Sequence, residues 1–275
     1  MERQVNLTTD QLRRLANFLQ KSCGIFLDDK KLTRFQRKIE TIVHEYESGD
    51  FNRFYHRLRF AGDKELVQAL INAVTINETY FWREHEQFRI LVEEILPSMV
   101  DQNRLRHIRI LVLPCASGEE VYSIMLAILD KKGLLERLNI ELIGVDIDTD
   151  MIKMAKRACY SQRSVSKLPK HLVDSYFTKD KGSYCFDKEL VSLVQFFQVN
   201  IFEENLKSRL GEFDIIFSRN MLIYFNKEDK RRSLERFHSL LKSGGYLFLG
   251  HADAGMLDRS MFEPYVSGFQ VYRRN

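Results

Sequence analysis

The stretch Ile108-Arg109-Ile110-Leu111-Val112-Leu113-Pro114-Cys115-Ala116-Ser117-Gly118-Glu119-Glu120 decides the fold. A short apolar run stops at Pro114, a tight turn follows at Gly118, and a helical pattern occupies residues 119–129. An apolar run of this length, bounded by turn residues, reads as a buried strand. Moving outward, the alternation repeats. Residues 140–147 read as a strand with Asp146 at its end, and 150–158 as a helix. Residues 194–199 and 213–217 read as strands. A helix over 227–241 stops at Ser243-Gly244-Gly245, followed by strands at 246–249 and 269–272. Strands alternating with helices predict an α/β fold with a mostly parallel, doubly wound sheet over residues 107–275.

Residues from about 160 to 198 break that rhythm. Lys181-Gly182-Ser183 lies between Tyr176-Phe177 and Tyr184-Cys185-Phe186, the pattern of a hairpin turning at Gly182. This predicts an inserted small antiparallel β subdomain. On the other side, residues 1–76 read as a helical domain. Thr8 and Gln11 form a capping-box signature, and Leu12, Leu15, Ala16 and Leu19 share one face. Gly24 ends that helix, a second starts near Asp28 or Asp29, and Gly49-Asp50 ends the second. Two more follow, split by Ala61-Gly62-Asp63. Residues 77–106 read as a linker.

The linker carries Asn77-Glu78-Thr79-Tyr80-Phe81-Trp82-Arg83-Glu84. A core strand disfavours the arginine, and a solvated helix disfavours three adjacent rings. The mixture suits a pocket wall for a flat, polar, partly charged small molecule, although rings 80–82 taken alone also suit plain core packing.

The chain has 275 residues, 44% of them hydrophobic and 29% charged, with four prolines. That length suffices for two domains without staples, and few prolines argue against long disordered linkers. Cys23, Cys115, Cys159 and Cys185 show neither Cys-x-x-Cys pairing nor metal spacing with a histidine, which predicts reduced thiols in a cytoplasmic protein. Met1-Glu2-Arg3-Gln4 lacks the order of a signal peptide. No apolar run approaches the ~20 residues of a membrane span. The net charge of +4 is too small to argue for nucleic acid. Between residues 11 and 40, however, eight Lys/Arg face three acids. Lys31, Arg34 and Lys38 recur at helical spacing as a basic stripe, which fits either an acidic partner or a solvated face.

Ligands of a doubly wound sheet sit at the carboxyl ends of its strands. Gly118 permits close backbone approach, and the helix start offers free N–H groups. A lone glycine is no dinucleotide fingerprint, and no Gly-Lys-Ser/Thr follows as in a P-loop. Two adjacent carboxylates repel pyrophosphate. They suit a cationic, phosphate-free ligand such as S-adenosylmethionine, with its sulfonium and ammonium. Asp146 is placed for ribose hydroxyls, or Asp146 and Asp148 simply cap the next helix. Asn200 ends another strand and suits an adenine edge. After residues 213–217 comes Ser218-Arg219-Asn220-Met221-Leu222-Ile223-Tyr224-Phe225, with no Asn/Asp-Pro-Pro-aromatic tetrapeptide, which argues against methylation of nucleic-acid bases. Seven histidines show no ligand spacing, so no metal is expected; His251, after Gly250, is placed to line the site.

Together these motifs resemble the chemotaxis-receptor glutamate O-methyltransferases of the CheR type. The family's Asn-x-Thr-x-Phe-Phe-Arg-Glu matches Asn77, Thr79, Phe81, Arg83 and Glu84. Its Ser-Thr-Gly-Glu-Glu turn matches Gly118, Glu119 and Glu120, with Ser117 offset by one in type. Its Asp-Ile-Asp matches Asp146 to Asp148, its Arg-Asn-x-x-Ile-Tyr-Phe matches Arg219, Asn220, Ile223, Tyr224 and Phe225, and its Gly-His matches Gly250 and His251. The likeness spans the chain, with Pro114-Cys115-Ala116 and Trp82 as variants. It implies a methyltransferase sheet that binds S-adenosylmethionine through Asn77, Thr79, Arg83, Glu119, Asp146, Asn200, Ile201, Ser218 and Arg219. Arg83 and Tyr224 would flank the reacting centre. Lys31, Arg34 and Lys38 would dock the acidic, helical cytoplasmic region of a methyl-accepting receptor, the enzyme acting as a cytoplasmic monomer without membrane insertion and leaving S-adenosylhomocysteine as product. Alternatives are a non-catalytic S-adenosylmethionine-binding docking module, or methylation of another protein acceptor. Some members grip a receptor's C-terminal pentapeptide with a glycine-rich hairpin loop; the short loop at 179–183 predicts no such dependence.

Overall fold

A computed structural model describes residues 6–100, 106–131, 133–253, 257, 259–266 and 268–275. The reading of Met1 to Gln4 lies outside the described residues. Four helices open the chain: α1 (Thr9–Cys23), α2 (Asp29–Glu47), α3 (Phe51–Phe60) and α4 (Lys64–Val74). Each start is capped. The Gln11 N–H donates to the Thr8 hydroxyl oxygen and the Thr8 N–H to the Gln11 side chain, completing the capping box. Asp28, Asp50 and Asp63 cap the other three, each cap typically contributing about 1 kcal/mol. Gly24 closes α1 at φ 75°, a left-handed position that glycine adopts without penalty. Leu15, Leu19, Phe35, Ile39, Phe54 and Leu66 form a core of this domain's own.

The linker helix runs as α5 (Glu86–Ile90), a π-helical turn (Leu91–Ile95) and α6 (Leu96–Ser98), with Pro97 inside the last piece. The second domain follows as β1 (Arg106–Val112), α7 (Glu119–Asp130), β2 (Leu138–Asp146) and α8 (Thr149–Arg157). Then come β3 (Cys159–Tyr160), α9 (Gln162–Val165), α10 (Lys170–Tyr176), β4 (Phe177–Asp180), β5 (Ser183–Phe186) and α11 (Lys188–Ser192). The chain closes with β6 (Val194–Gln198), α12 (Leu206–Leu210), β7 (Phe213–Ser218), α13 (Lys227–Leu240), β8 (Leu241–Leu249), β9 (Phe262–Val266) and β10 (Val271–Arg274).

The main sheet has the order β6-β2-β1-β7-β8-β10-β9. The first five strands are parallel, and β10 runs antiparallel to β8 and β9. Successive strands move outward from β1 on one side, then return to β7 on the other. The order therefore reverses between β1 and β7, where the loops diverge and leave a crevice. Period-two alternation covers both faces. Ile108, Ile110 and Val112 share a cluster with Val121, Tyr122 and Ile124 of α7. Leu111, Ile143 and Ile216 share the other with Leu234, Phe237 and Leu240 of α13.

The inserted hairpin is present as a three-stranded sheet of order β3-β5-β4. Lys181 (φ 45°) and Gly182 (φ 85°) make its two-residue turn, the left-handed pair that a twisted hairpin favours. Three readings need correction. The expected insert ran to about 198, but β6 pairs in parallel with β2 and belongs to the main sheet. Ser243-Gly244-Gly245 lies inside β8, where the register between Phe213↔Leu241 and Ile215↔Tyr246 absorbs it as an irregularity. The expectation of four reduced thiols fails for Cys159 and Cys185. They face each other directly across β3 and β5 and are joined as a disulfide, while Cys23 and Cys115 are free and buried. A sequence separation of 26 carries no sign of that register. Strand β9 has no counterpart in the sequence reading.

Candidate active site

A cavity of about 280 Å³ lies at the β1/β7 crevice, with the N-terminal domain closing one side. The linker motif forms one wall through local strain. Trp82 (φ 65°) and Glu84 (φ 52°) both adopt left-handed backbone, uncommon for non-glycine residues, and they bracket Arg83. Phe81 pins the turn. Its ring is fully buried, edge-on to Tyr160 and Phe177, and its N–H donates to the Ser164 carbonyl oxygen. Trp82 packs on Phe88, so the core-packing reading holds for these two rings. The anchored turn leaves Arg83 lining the cavity, its Nη1 donating to the Glu78 carbonyl oxygen at 3.1 Å. No carboxylate lies within ion-pair distance of Arg83 among the described residues.

The β1–α7 turn forms the floor. Gly118 caps α7 at φ 95°, and a Cβ there would stand 3.0–3.1 Å from Tyr122, Ala155 and Tyr160. Asp146 ties the turn to β2: its Oδ2 accepts from the Ala116 N–H at 2.8 Å and its Oδ1 from the Asp148 N–H at 2.9 Å. Burial raises its pKa to about 6 against those stabilising hydrogen bonds. Asp146 still lines the cavity, whereas Asp148 is the cap of α8 and accepts from Asn77 and Thr75. The two open readings thus divide, with Asp148 as the helix cap and Asp146 as a cavity residue.

Asn77, Thr79, Arg83, Asp146, Asn200, Ile201 and Arg219 all line the cavity, as does Tyr224. Glu119 and Ser218 do not. Glu119 is buried between the hydroxyls of Ser117 (2.6 Å) and Ser164 (2.9 Å), both donating to it. Its neighbour Glu120 faces the cavity instead. Adjacent helical positions point about 100° apart, and the rotation of α7 against the sheet decides which glutamate faces in. That rotation has no sequence signature. Ser218 is wholly buried at the end of β7. Asn200 also turns partly away, its Nδ2 donating to the Ser22 carbonyl oxygen of α1 at 2.7 Å. His251 lies outside the lining, its Nδ1 3.2 Å from Glu84 Oε2. Lys31 lines the cavity, while Arg34 and Lys38 lie along the exposed side of α2.

Arg219 is the most constrained group. Its side chain is almost wholly buried, with Nη2 donating to the Arg83 carbonyl oxygen at 2.6 Å. Nε stands 3.6 Å from Glu120 and 3.7 Å from Glu84. Among the described residues, Arg219 Nε and Nη1 and Glu120 Oε1 meet no hydrogen-bond partner. Burial pushes the Glu120 carboxyl up; Arg219 opposes this, and Glu84 adds to it. Buried polar atoms left without a hydrogen bond cost about 1–3 kcal/mol each and suit a site that a ligand completes. A ligand bearing both an ammonium and a carboxylate, such as the amino-acid end of S-adenosylmethionine, fits this donor set.

Known proteins resemble this chain over nearly its whole length. The description "CheR methyltransferase, all-alpha domain" matches residues 10–75, and "CheR methyltransferase, SAM binding domain" matches residues 77–267. A chemotaxis protein methyltransferase 2 of Vibrio cholerae is 36% identical over 94% of this chain and 90% of its own length. The chemotaxis protein methyltransferase of Campylobacter jejuni is 34% identical over 92% of each chain. A chemotaxis protein methyltransferase 1 of Pseudomonas aeruginosa is 31% identical over 86% of this chain and 87% of its own. With a helical domain, a doubly wound sheet and a cavity at its switch point all in the matched order, the chain belongs to the CheR methyltransferase family, the S-adenosylmethionine-dependent methyltransferases of chemotaxis.

Proposed function

We infer that this protein methylates glutamate side chains in the helical cytoplasmic region of chemotaxis receptors, forming glutamyl methyl esters and S-adenosylhomocysteine. The observation that carries this reading is one shared rim. Arg83, Tyr224 and Lys31 all line the cavity that contains Asp146, Glu120 and Arg219. Lys31 Nζ lies 5.7 Å from the Tyr224 ring centroid, so the basic side of α2 begins where the cavity opens.

Bound S-adenosylmethionine supplies an electrophilic methyl group on a sulfonium. Glu120 and Arg219 hold its charged amino-acid end, and Asp146 accepts from its ribose. An acceptor glutamate, with an ordinary pKa of ~4.3, is already ionised at neutral pH and needs no general base. Arg83, with no carboxylate within ion-pair distance among the described residues, attracts and orients that glutamate. Burial holds the Tyr224 phenol protonated, although Arg83 and Arg34 pull the other way. It can therefore donate to the carboxylate oxygen that does not attack and so set the approach. Aligning anion and cation and excluding water lower a charge-annihilating barrier, with positioning worth several kcal/mol. The two-residue hairpin turn supports independence from a receptor's C-terminal pentapeptide.

The direct test incubates the protein with methyl-labelled cofactor and receptor-bearing membranes. Base-labile volatile methanol and esters mapped to receptor glutamates support the assignment. Binding of receptor without any methyl transfer would leave a docking module instead. Tight calorimetric binding of the pentapeptide would overturn the independence from a tether.

A further inference from the structure

The mouth of the cavity carries two large apolar side chains in contact with solvent. Phe26 is 41% exposed and Ile223 is 37% exposed, and both line the cavity. The other exposed large apolar side chains, among the described residues, lie away from it. The Phe26 N–H donates to the Tyr224 carbonyl oxygen at 3.0 Å, so the α1–α2 loop runs beside the segment that follows β7. Both residues are held in place. The Phe26 carbonyl oxygen accepts from Lys31 Nζ at 3.3 Å, and the Ile223 N–H donates to the buried Asp253 Oδ1 at 3.2 Å.

A glutamate side chain is short. When its carboxylate reaches Arg83 and Tyr224, the acceptor backbone has to lie against the rim. In a helix, residues three and four apart stand about 5–6 Å from each other at Cβ, so the neighbour one turn away faces the rim too. Lys31 at the rim, with Arg34 and Lys38 following along the exposed side of α2, favours an acidic helix. Electrostatics alone does not distinguish one glutamate of that helix from another; an apolar contact does, because it is short-ranged.

We propose that Phe26 and Ile223 select among acceptor glutamates by packing against an apolar side chain one helical turn from the glutamate to be methylated. This rests on the receptor-glutamate reading above and adds its specificity. The flanking residue is treated as part of the substrate, and its contact is made when the glutamate is seated.

The test uses two helical acceptor peptides of equal charge, each with one glutamate, differing only by Leu or Ser at the positions three and four residues away. Wild-type kcat/KM should favour the Leu peptide by about ten-fold, the usual size of an apolar-pocket preference. In F26S/I223S the two peptides should become equal, while F26L/I223V restores the preference. Calorimetry with adenosylhomocysteine on each variant checks that the donor pocket is intact. A wild-type enzyme indifferent to the flanking residue, or a preference that survives in F26S/I223S, overturns the proposal alone. A protein that binds adenosylhomocysteine and methylates neither these peptides nor receptor overturns the acceptor reading and the proposal with it.

Discussion

Arg219 Nη2 donates to the main-chain carbonyl of Arg83 at 2.6 Å, across a separation of 136 residues. That bond joins the end of β7 to the strained linker turn. One guanidinium, buried with two carboxylates, thereby fixes the backbone from which the other guanidinium reaches the cavity wall. The proposed donor-binding and acceptor-binding halves of the site would share this connection.

Arg83 and Tyr224 should matter more for turnover than for donor affinity. We expect Arg83→Ala to lower kcat/KM for receptor by at least about 100-fold, and Tyr224→Phe by about 10-fold, read as transition-state free energy. Calorimetric Kd values for adenosylhomocysteine should move much less. Undiminished turnover in both variants would refute their placement at the reacting centre.

Donor binding should weaken in acid. Asp146 is raised from 3.8 to about 6 by burial, and its carboxylate is the form that accepts from ribose. The adenosylhomocysteine Kd should then be about ten-fold weaker at pH 5 than at pH 7.5, by proton linkage. Stability moves in the opposite sense. The folded state holds this proton to higher pH than the unfolded chain, so Asp146 contributes less stability as pH rises from about 4 to about 6, with no further change above. A pH-independent Kd across that window would remove Asp146 from the ribose role.

The two adjacent glutamates of α7 should separate cleanly. Glu120→Gln removes a charged partner from the cavity and should weaken adenosylhomocysteine by roughly 10- to 100-fold, the range of a charge-assisted hydrogen bond. Glu119→Ala strands the hydroxyls of Ser117 and Ser164 and should cost about 1–3 kcal/mol of folding stability instead. Isothermal titration and thermal melts on both variants read the difference. The reverse pattern would restore the assignment of Glu119 to the donor.

Thiol titration checks the β3–β5 bridge. Denatured but unreduced protein should expose two reactive thiols, from Cys23 and Cys115, and reduced protein four. Closing a loop of this length typically stabilises by about 3 kcal/mol, so Cys185→Ser should lower the melting temperature in reductant-free buffer, and the difference should shrink when reductant opens the wild-type bridge. Four thiols without reduction would mean the pair is open in solution.

Local patterns settled much before any coordinates. The Thr8–Gln11 cap, the start of α2 near Asp28 or Asp29, the hairpin at Gly182 and the β1–Gly118–α7 turn are all written in neighbouring residues, because capping, turn geometry and hydrophobic period act within a few positions. The motifs around Asn77, Asp146 and Arg219 pointed to one cavity for the same reason: strand ends and helix starts are local features that topology then gathers. Tertiary packing alone decided which of Glu119 and Glu120 faces the cavity, since one step along a helix changes direction while leaving the sequence pattern the same. It also decided that Cys159 meets Cys185 and that β6 joins the main sheet, since strand partnership is a long-range choice. Packing likewise brought Phe26 of the helical domain against Tyr224, a contact set by how two cores dock rather than by anything either segment encodes by itself.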